Sequence, residues 1–130
     1  HASTFGGNPV ALTAALKTIE LLEGGLVENS RSVGAYLEAG LNNLKEKYEV
    51  IGDVRGLGMM LGVEFVTDKE TLKPDAELRD RIEMACFNRG LIILGCGSNT
   101  IRWSPPLVLA KQHVDVALEI FDEAIEASVQ

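Results

Sequence analysis

The chain has 130 residues, of which 46% are hydrophobic and 24% charged, and its formal net charge is −7. These values are typical of a globular domain with one hydrophobic core and exclude a disordered chain. Acidic residues outnumber basic ones by 19 to 12, and no Lys/Arg cluster is present to neutralise phosphates. We therefore expect neither nucleic acid nor an anionic membrane as a partner.

The sequence also lacks membrane and secretion signals. No apolar run approaches the ~20 residues that cross a bilayer, and no basic segment followed by an apolar one indicates a signal peptide. The two cysteines, Cys86 and Cys96, stand in apolar or glycine-rich surroundings. Free thiols of this kind are typical of a reducing compartment, so we expect a cytoplasmic protein.

Two helices are predicted in the first part of the chain. Asn8 as the cap and Pro9 in the first position predict a helix start, and Gly24-Gly25 predicts its end. A second helix follows, because apolar residues recur at steps of three and four. These residues are Val33, Leu37, Leu41, Leu44 and Tyr48.

The pattern then changes to short strands. Val50–Val54 and Met59–Val66 predict two strands around a glycine-rich reversal, and Asp75 predicts the cap of a third helix. Leu91–Leu94 and Thr100–Trp103 predict two more strands, and a last amphipathic helix ends the chain. The fold class predicted is α+β, with a small, mostly antiparallel sheet and helices packed on it, in one domain over residues 1–130.

The stretch from Ser3 to Pro9 is a candidate anion site. It carries two hydroxyl side chains, Ser3 and Thr4, followed by two glycines and a helix N-terminus. Backbone N–H groups and the helix dipole favour phosphate at such a place. The alternative is that Ser3 and Thr4 are ordinary cap or strand residues beside a turn, which is a common arrangement.

Arg102 is a candidate anchor for a carboxylate. It is a lone arginine in an otherwise apolar strand, where burial without a partner would be unfavourable. A guanidinium binds a carboxylate through two parallel hydrogen bonds. The alternative is an internal ion pair of Arg102 with Glu64 or Asp53, and for Arg55 we expect a structural contact at a turn.

Three segments together resemble the class III pyridoxal-phosphate-dependent aminotransferases of fold type I. They are HASTFGGNPVA, DVRGLGMMLGVEF and NRGLIILGCGSNTIRWSPPLV, in the order of that family. Within the family the resemblance points to 4-aminobutyrate aminotransferase. It implies that residues 1–130 are the C-terminal small domain, preceded by its long connecting helix.

The resemblance also implies roles for single residues. Thr4, with Ser3 beside it, would bind the phosphate of pyridoxal 5'-phosphate held by the neighbouring subunit, so a homodimer is expected. Arg102 would bind the substrate carboxylate. The family's cofactor-binding lysine and the aspartate that contacts the pyridine nitrogen precede the TFGGNP motif, so the chain alone is expected to be inactive.

The implied reaction moves an amino group from a 4-aminobutyrate-like amino acid to a 2-oxo acid such as 2-oxoglutarate. Two alternatives remain. One is an amino-acid racemase or epimerase of the same fold, since some members of the family use the cofactor without transferring the amine. The other is a non-catalytic α+β module for dimerisation or small-molecule binding.

Overall fold

The computed structural model describes residues 3–129. The first two residues of the HASTFGGNPVA segment, His1 and Ala2, and the last residue, Gln130, lie outside this range. The elements run in the order helix, helix, strand, strand, helix, strand, strand, helix, as the sequence predicts. They are α1 (Pro9–Leu21), a π-helical turn (Leu22–Leu26), α2 (Val27–Lys47), β1 (Ile51–Leu57), β2 (Met60–Phe65), α3 (Ala76–Asn88), β3 (Leu94–Cys96), β4 (Thr100–Trp103) and α4 (Lys111–Val129).

The four strands form one antiparallel sheet in the order β1-β2-β4-β3. It consists of two hairpins, β1-β2 and β3-β4, joined side by side through β2 and β4. Helices α2, α3 and α4 contribute the buried side chains that face it. The predicted α+β class, with helices packed on a small antiparallel sheet, is confirmed.

Aromatic side chains join the last helix to the sheet at the centre of the core. Phe121 of α4 makes edge-to-face contacts with Trp103 of β4 and Phe65 of β2, at ring-centroid distances of 5.1 and 6.3 Å. The predicted apolar stripe of α2 is buried at Val33, Leu37 and Leu41. The strand order places β2 and β4 in the middle of the sheet, and the aromatic contacts hold one face of each against the helices.

The helix cap at Asn8 and the break between the first two helices at Gly24-Gly25 follow the sequence prediction. Oδ1 of Asn8 accepts hydrogen bonds from the N–H groups of Val10 and Ala11. At Gly24-Gly25 the chain continues through the π-helical turn into α2, and only Gly25 leaves helical geometry, with φ +135°. A glycine adopts that conformation without a steric penalty, so the two helices meet at a kink where the glycine pair predicts the end of the first.

The third strand lies later in the chain than its apolar run predicts. The structure has β3 at Leu94–Cys96, not at Leu91–Leu94. Its register is set by the tight turn before β4, which places Cys96 opposite Thr100 and Leu94 opposite Arg102. Ile93 is 9% exposed and belongs to the core, so this part of the apolar run is explained by packing rather than by strand pairing.

Candidate functional site

The sheet has a second face, turned away from the three packed helices, and Arg102 lies on it. Ile101 and Trp103, its neighbours in β4, are buried in the core, so alternation along the strand turns Arg102 outward. Leu57 and Met60 on the β1-β2 hairpin are also strongly exposed, at 89% and 64%. This outer face therefore combines an arginine with exposed apolar surface.

Arg102 is exposed and has no ion-pair partner within residues 3–129. On one side it lines a mainly apolar cavity of about 370 Å³ together with Pro105 and His113. On the other side it lines a shallow hollow with Arg55 and Gly62. Because the guanidinium is exposed, it carries no burial penalty, and its donors are available to an anion.

The predicted alternative, an ion pair of Arg102 with Glu64 or Asp53, does not form. Arg55 binds both carboxylates instead: its Nη1 lies 2.6 Å from Oε2 of Glu64 and 3.0 Å from Oδ2 of Asp53. The hydrogen bond to Glu64, followed by that to Asp53, raises the pKa of Arg55. Burial alone would raise the pKa of Asp53, but the hydrogen bonds from Arg55 and Lys45 outweigh it and lower that pKa. Arg55 lies within β1, so it joins strands rather than closing a turn.

The predicted phosphate loop, Ser3 to Gly7, forms a turn ahead of α1, and all of its residues are exposed. The N–H of Gly6 donates to the carbonyl of Ser3, and the N–H of Asn8 donates to the carbonyl of Phe5. Within residues 3–129 no hydrogen bond engages the hydroxyl of Thr4 or the N–H groups of Thr4 and Gly7. The loop therefore offers a hydroxyl and backbone donors to an anion.

The N–H groups of the first helical turn, which the sequence predicts as donors to an anion, are already hydrogen-bonded within the chain. Those of Val10 and Ala11 donate to the side chain of Asn8, and that of Leu12 donates to the carbonyl of Asn8. Pro9 has no N–H. An anion at this helix end would therefore be held by the loop donors, with only the helix dipole contributing from α1.

The loop and the arginine lie in separate parts of the structure. Neither cavity that Arg102 lines includes Ser3 or Thr4. The loop precedes α1, whose 13 residues, none of them buried, extend over about 20 Å. Within one chain the two predicted binding elements are not brought together.

Other groups with functional chemistry are sparse over the same range. No cluster of three or more metal-ligating side chains occurs between residues 3 and 129. Among the helices described, none is both long and apolar enough to cross a membrane. Cys86 and Cys96 are free thiols, and burial raises the pKa of Cys86 to about 12. The cytoplasmic location stays a prediction.

Comparison with solved structures defines the class of protein. An aminotransferase from Bacillus anthracis superposes with a TM-score of 0.91 and 35% sequence identity, over 98% of this chain and 30% of that one. A family model described as aminotransferase class-III matches residues 1–125. The chain belongs to the class III aminotransferase family, whose members use pyridoxal phosphate.

Curated relatives carry different activities. The chain is 44% identical to an alanine/serine racemase from Pyrococcus horikoshii, over 95% of its own length and 26% of the relative. It is 39% identical to a 5-aminovalerate aminotransferase from Pseudomonas aeruginosa, over 95% of its own length and 30% of the relative. The chain thus spans less than a third of the length of either relative.

One feature of the site is missing from the sequence prediction: the role of Arg55 as the partner of Glu64. The signal for it is the short reversal between Leu57 and Met60, which are paired in the structure. Counting back from such a turn places Arg55 opposite Gly62 and Asp53 opposite Glu64. Only an explicit strand register reveals the contact with Glu64, because Arg55 and Glu64 are nine positions apart.

Proposed function

We propose that the protein carrying this chain is a pyridoxal-phosphate-dependent aminotransferase. It transfers an amino group from a 4-aminobutyrate-like amino acid to a 2-oxo acid such as 2-oxoglutarate. Family membership supports the reaction class, and the relative that acts on 5-aminovalerate supports a donor whose amine is distant from its carboxylate. In this proposal residues 1–130 are the small C-terminal domain with its connecting helix.

The observation that carries the proposal is the exposed Arg102, whose nearby carboxylates are bound by Arg55. Arg102 binds the substrate carboxylate through paired hydrogen bonds. The apolar cavity beside it accommodates the methylene groups of an amino acid. Arg102 thereby orients the substrate and takes no part in proton transfer.

Ser3 and Thr4 are proposed to bind the cofactor phosphate. Their exposure and the unengaged hydroxyl of Thr4 fit a phosphate group. When bound, the cofactor acts as an electron sink at the substrate amine carbon. Since Thr4 and Arg102 line no common cavity in one chain, we propose that the loop serves the site of a second subunit in a homodimer.

The test compares substrates with and without a carboxylate in the whole enzyme. Arg102→Gln should raise KM for 4-aminobutyrate or 5-aminovalerate about 10- to 100-fold, because a hydrogen bond to a charged group contributes roughly 1.5–3 kcal/mol. The KM for n-butylamine should stay within about twofold. Arg31→Gln, which removes an exposed arginine paired with Glu28 on α2, is the matched control. An unchanged KM for the amino acids in Arg102→Gln would refute the carboxylate site.

A second candidate is an amino-acid racemase or epimerase, and the 44% identity to the alanine/serine racemase favours it. Such an enzyme also binds a carboxylate, so Arg102 keeps its role. The two reactions differ in their need for a 2-oxo acid. Chiral chromatography of an L-amino acid incubated with the enzyme decides: loss of optical purity without an acceptor indicates racemisation, and acceptor-dependent product indicates transfer. If the whole enzyme shows neither racemisation nor amino transfer, that result would favour a non-catalytic module.

A further inference from the structure

Two arginines on the outer face of the sheet flank a glycine in one row. Arg55 of β1 is paired with Gly62 of β2, and Gly62 is paired with Arg102 of β4. Residues paired across antiparallel strands turn their side chains to the same face. Since Gly62 has no side chain, no group from β2 separates the two arginines at this row.

The two arginines are in different electrostatic situations. Arg55 contacts Glu64 at 2.6 Å and Asp53 at 3.0 Å, and Lys45 approaches Asp53 at 3.3 Å. Arg102 has no ion pair in the part of the chain that the structure describes. The network thus neutralises both carboxylates of this face and leaves one guanidinium available.

Glu64 is also within reach of Arg102. Its strand partner is Thr100, two residues before Arg102, so Glu64 and Arg102 are diagonal neighbours on the same face. Diagonal neighbours lie about 7–8 Å apart, a distance that long side chains span. The other carboxylate oxygen of Glu64 accepts only a long hydrogen bond, at 3.5 Å, from the side-chain nitrogen of Asn99. Without Arg55, Arg102 would be a cation on the neighbouring strand able to neutralise Glu64.

We propose that Arg55 is a positioning residue for substrate recognition: by holding Glu64, it prevents Glu64 from occupying Arg102, so that Arg102 stays free for the substrate carboxylate. The inference rests on the proposed function of Arg102. Arg55 itself is unsuited to be the anchor, because two protein carboxylates already occupy it.

The experiment is a double-mutant cycle in the whole enzyme, with KM and kcat measured for 4-aminobutyrate or 5-aminovalerate. Arg55→Gln should raise KM about three- to fivefold, the range expected when a partly exposed ion pair competes, and leave kcat within about twofold. On a Glu64→Gln background the same substitution should change KM less than twofold. Arg55→Lys, which keeps a cation beside Glu64, should restore KM toward its original value, and Arg31→Gln should not alter it.

The cycle separates capture of Arg102 from a general loss of positive charge. Charge loss alone would raise KM by the same factor whether or not the Glu64→Gln substitution is present. That result would overturn the inference, as would an unchanged KM in Arg55→Gln. A nitrogen-15 NMR readout of the Arg102 Nε–H is independent of activity. Its signal should shift in Arg55→Gln and return in the double variant.

The experiments distinguish failure of the carboxylate site at Arg102 from failure of the positioning role of Arg55. If Arg102→Gln raises KM but the cycle shows no coupling and the NMR signal does not move, only the role of Arg55 is refuted. If Arg102→Gln leaves KM unchanged, the carboxylate site itself is refuted, and the role of Arg55 in substrate recognition falls with it.

Discussion

At the scale of single residues, neighbours decide what each side chain can do. Arg55 and Arg102 have the same chemistry and lie in one row of the sheet, yet Arg55 is bound by two carboxylates and Arg102 by none within residues 3–129. Residue type and a strand pattern predict an arginine on a sheet. They do not predict which of two arginines the nearby carboxylates select.

The two cysteines provide a residue-scale prediction. Cys86 is fully buried, and burial raises the pKa of its thiol to about 12, so at pH 8 it is protonated and shielded from reagents. Cys96 is partly exposed at the end of β3. Titration of the chain with a thiol-reactive dye at pH 8 should therefore show one rapidly reacting thiol. The second should react only after unfolding in guanidinium chloride.

Cys96→Ser supplies the control for this titration. It should abolish the rapid phase and leave the slow one, because Cys86 stays in the core. Two rapid thiols in the native chain would show that the helix carrying Cys86 opens readily, contrary to its complete burial.

At the scale of elements, α2 packs so closely on the β1-β2 hairpin that an added methyl group in the helix is predicted to lower stability. A Cβ added at Gly34 would overlap the backbone carbonyl of Gly58, so helix and hairpin would have to separate. At Gly40, in the same helix, an added Cβ would meet a terminal methyl of Leu118, which can rotate away. Gly34→Ala should destabilise the chain by about 2 kcal/mol or more despite the better helix propensity of alanine.

Gly40→Ala is the matched control, since it makes the same chemical change in the same helix. Its cost should be below about 1 kcal/mol, because alanine recovers helix propensity and only the side chain of Leu118, not backbone, must move. Urea denaturation followed by circular dichroism gives both values. Equal losses at the two positions would mean that the contact between α2 and the hairpin is not close-packed in solution.

Most elements could be predicted from the sequence because their signals are local. The cap at Asn8 and the apolar stripe at Val33, Leu37 and Leu41 depend on residues within one helix, and both occur in the structure. β3 lies three residues later than the apolar run beginning at Leu91, because pairing with β4 defines the strand. The interruption at Gly25, by contrast, is a local signal, because a glycine pair permits the positive φ that breaks the helix.

In the site, too, the features with local signals could be predicted and those set by strand pairing could not. Ser3, Thr4 and Arg102 could be selected from local motifs, and their binding roles stay predictions. The pairing of Arg55 with Glu64 depends on strand register, which is a property of two strands and the turn between them. What sequence reasoning could not supply was therefore the competition among charges on one face.

At the scale of the whole molecule, the core and α1 are separate. Among the residues described, the buried hydrophobic side chains all fall between Val33 and Ile125. α1 has no buried residue, and Val10, Leu12, Leu16 and Ile19 are each about half exposed or more. The stability of the body formed by α2, α3, α4 and the sheet should therefore not depend on α1.

Removal of residues 1–21, which deletes the loop and α1, tests this independence. The melting temperature of the remaining chain should change by less than about 3 °C, because no buried side chain is lost and the free energy of unfolding depends mainly on buried apolar area. Leu41→Ala is the positive control: Leu41 is fully buried, so its truncation should cost about 2–5 kcal/mol and lower the melting temperature by roughly 10 °C or more. Both are read from thermal unfolding by circular dichroism. A drop in the truncated chain as large as that of Leu41→Ala would mean that α1 packs on the body in solution and that the core extends beyond α2.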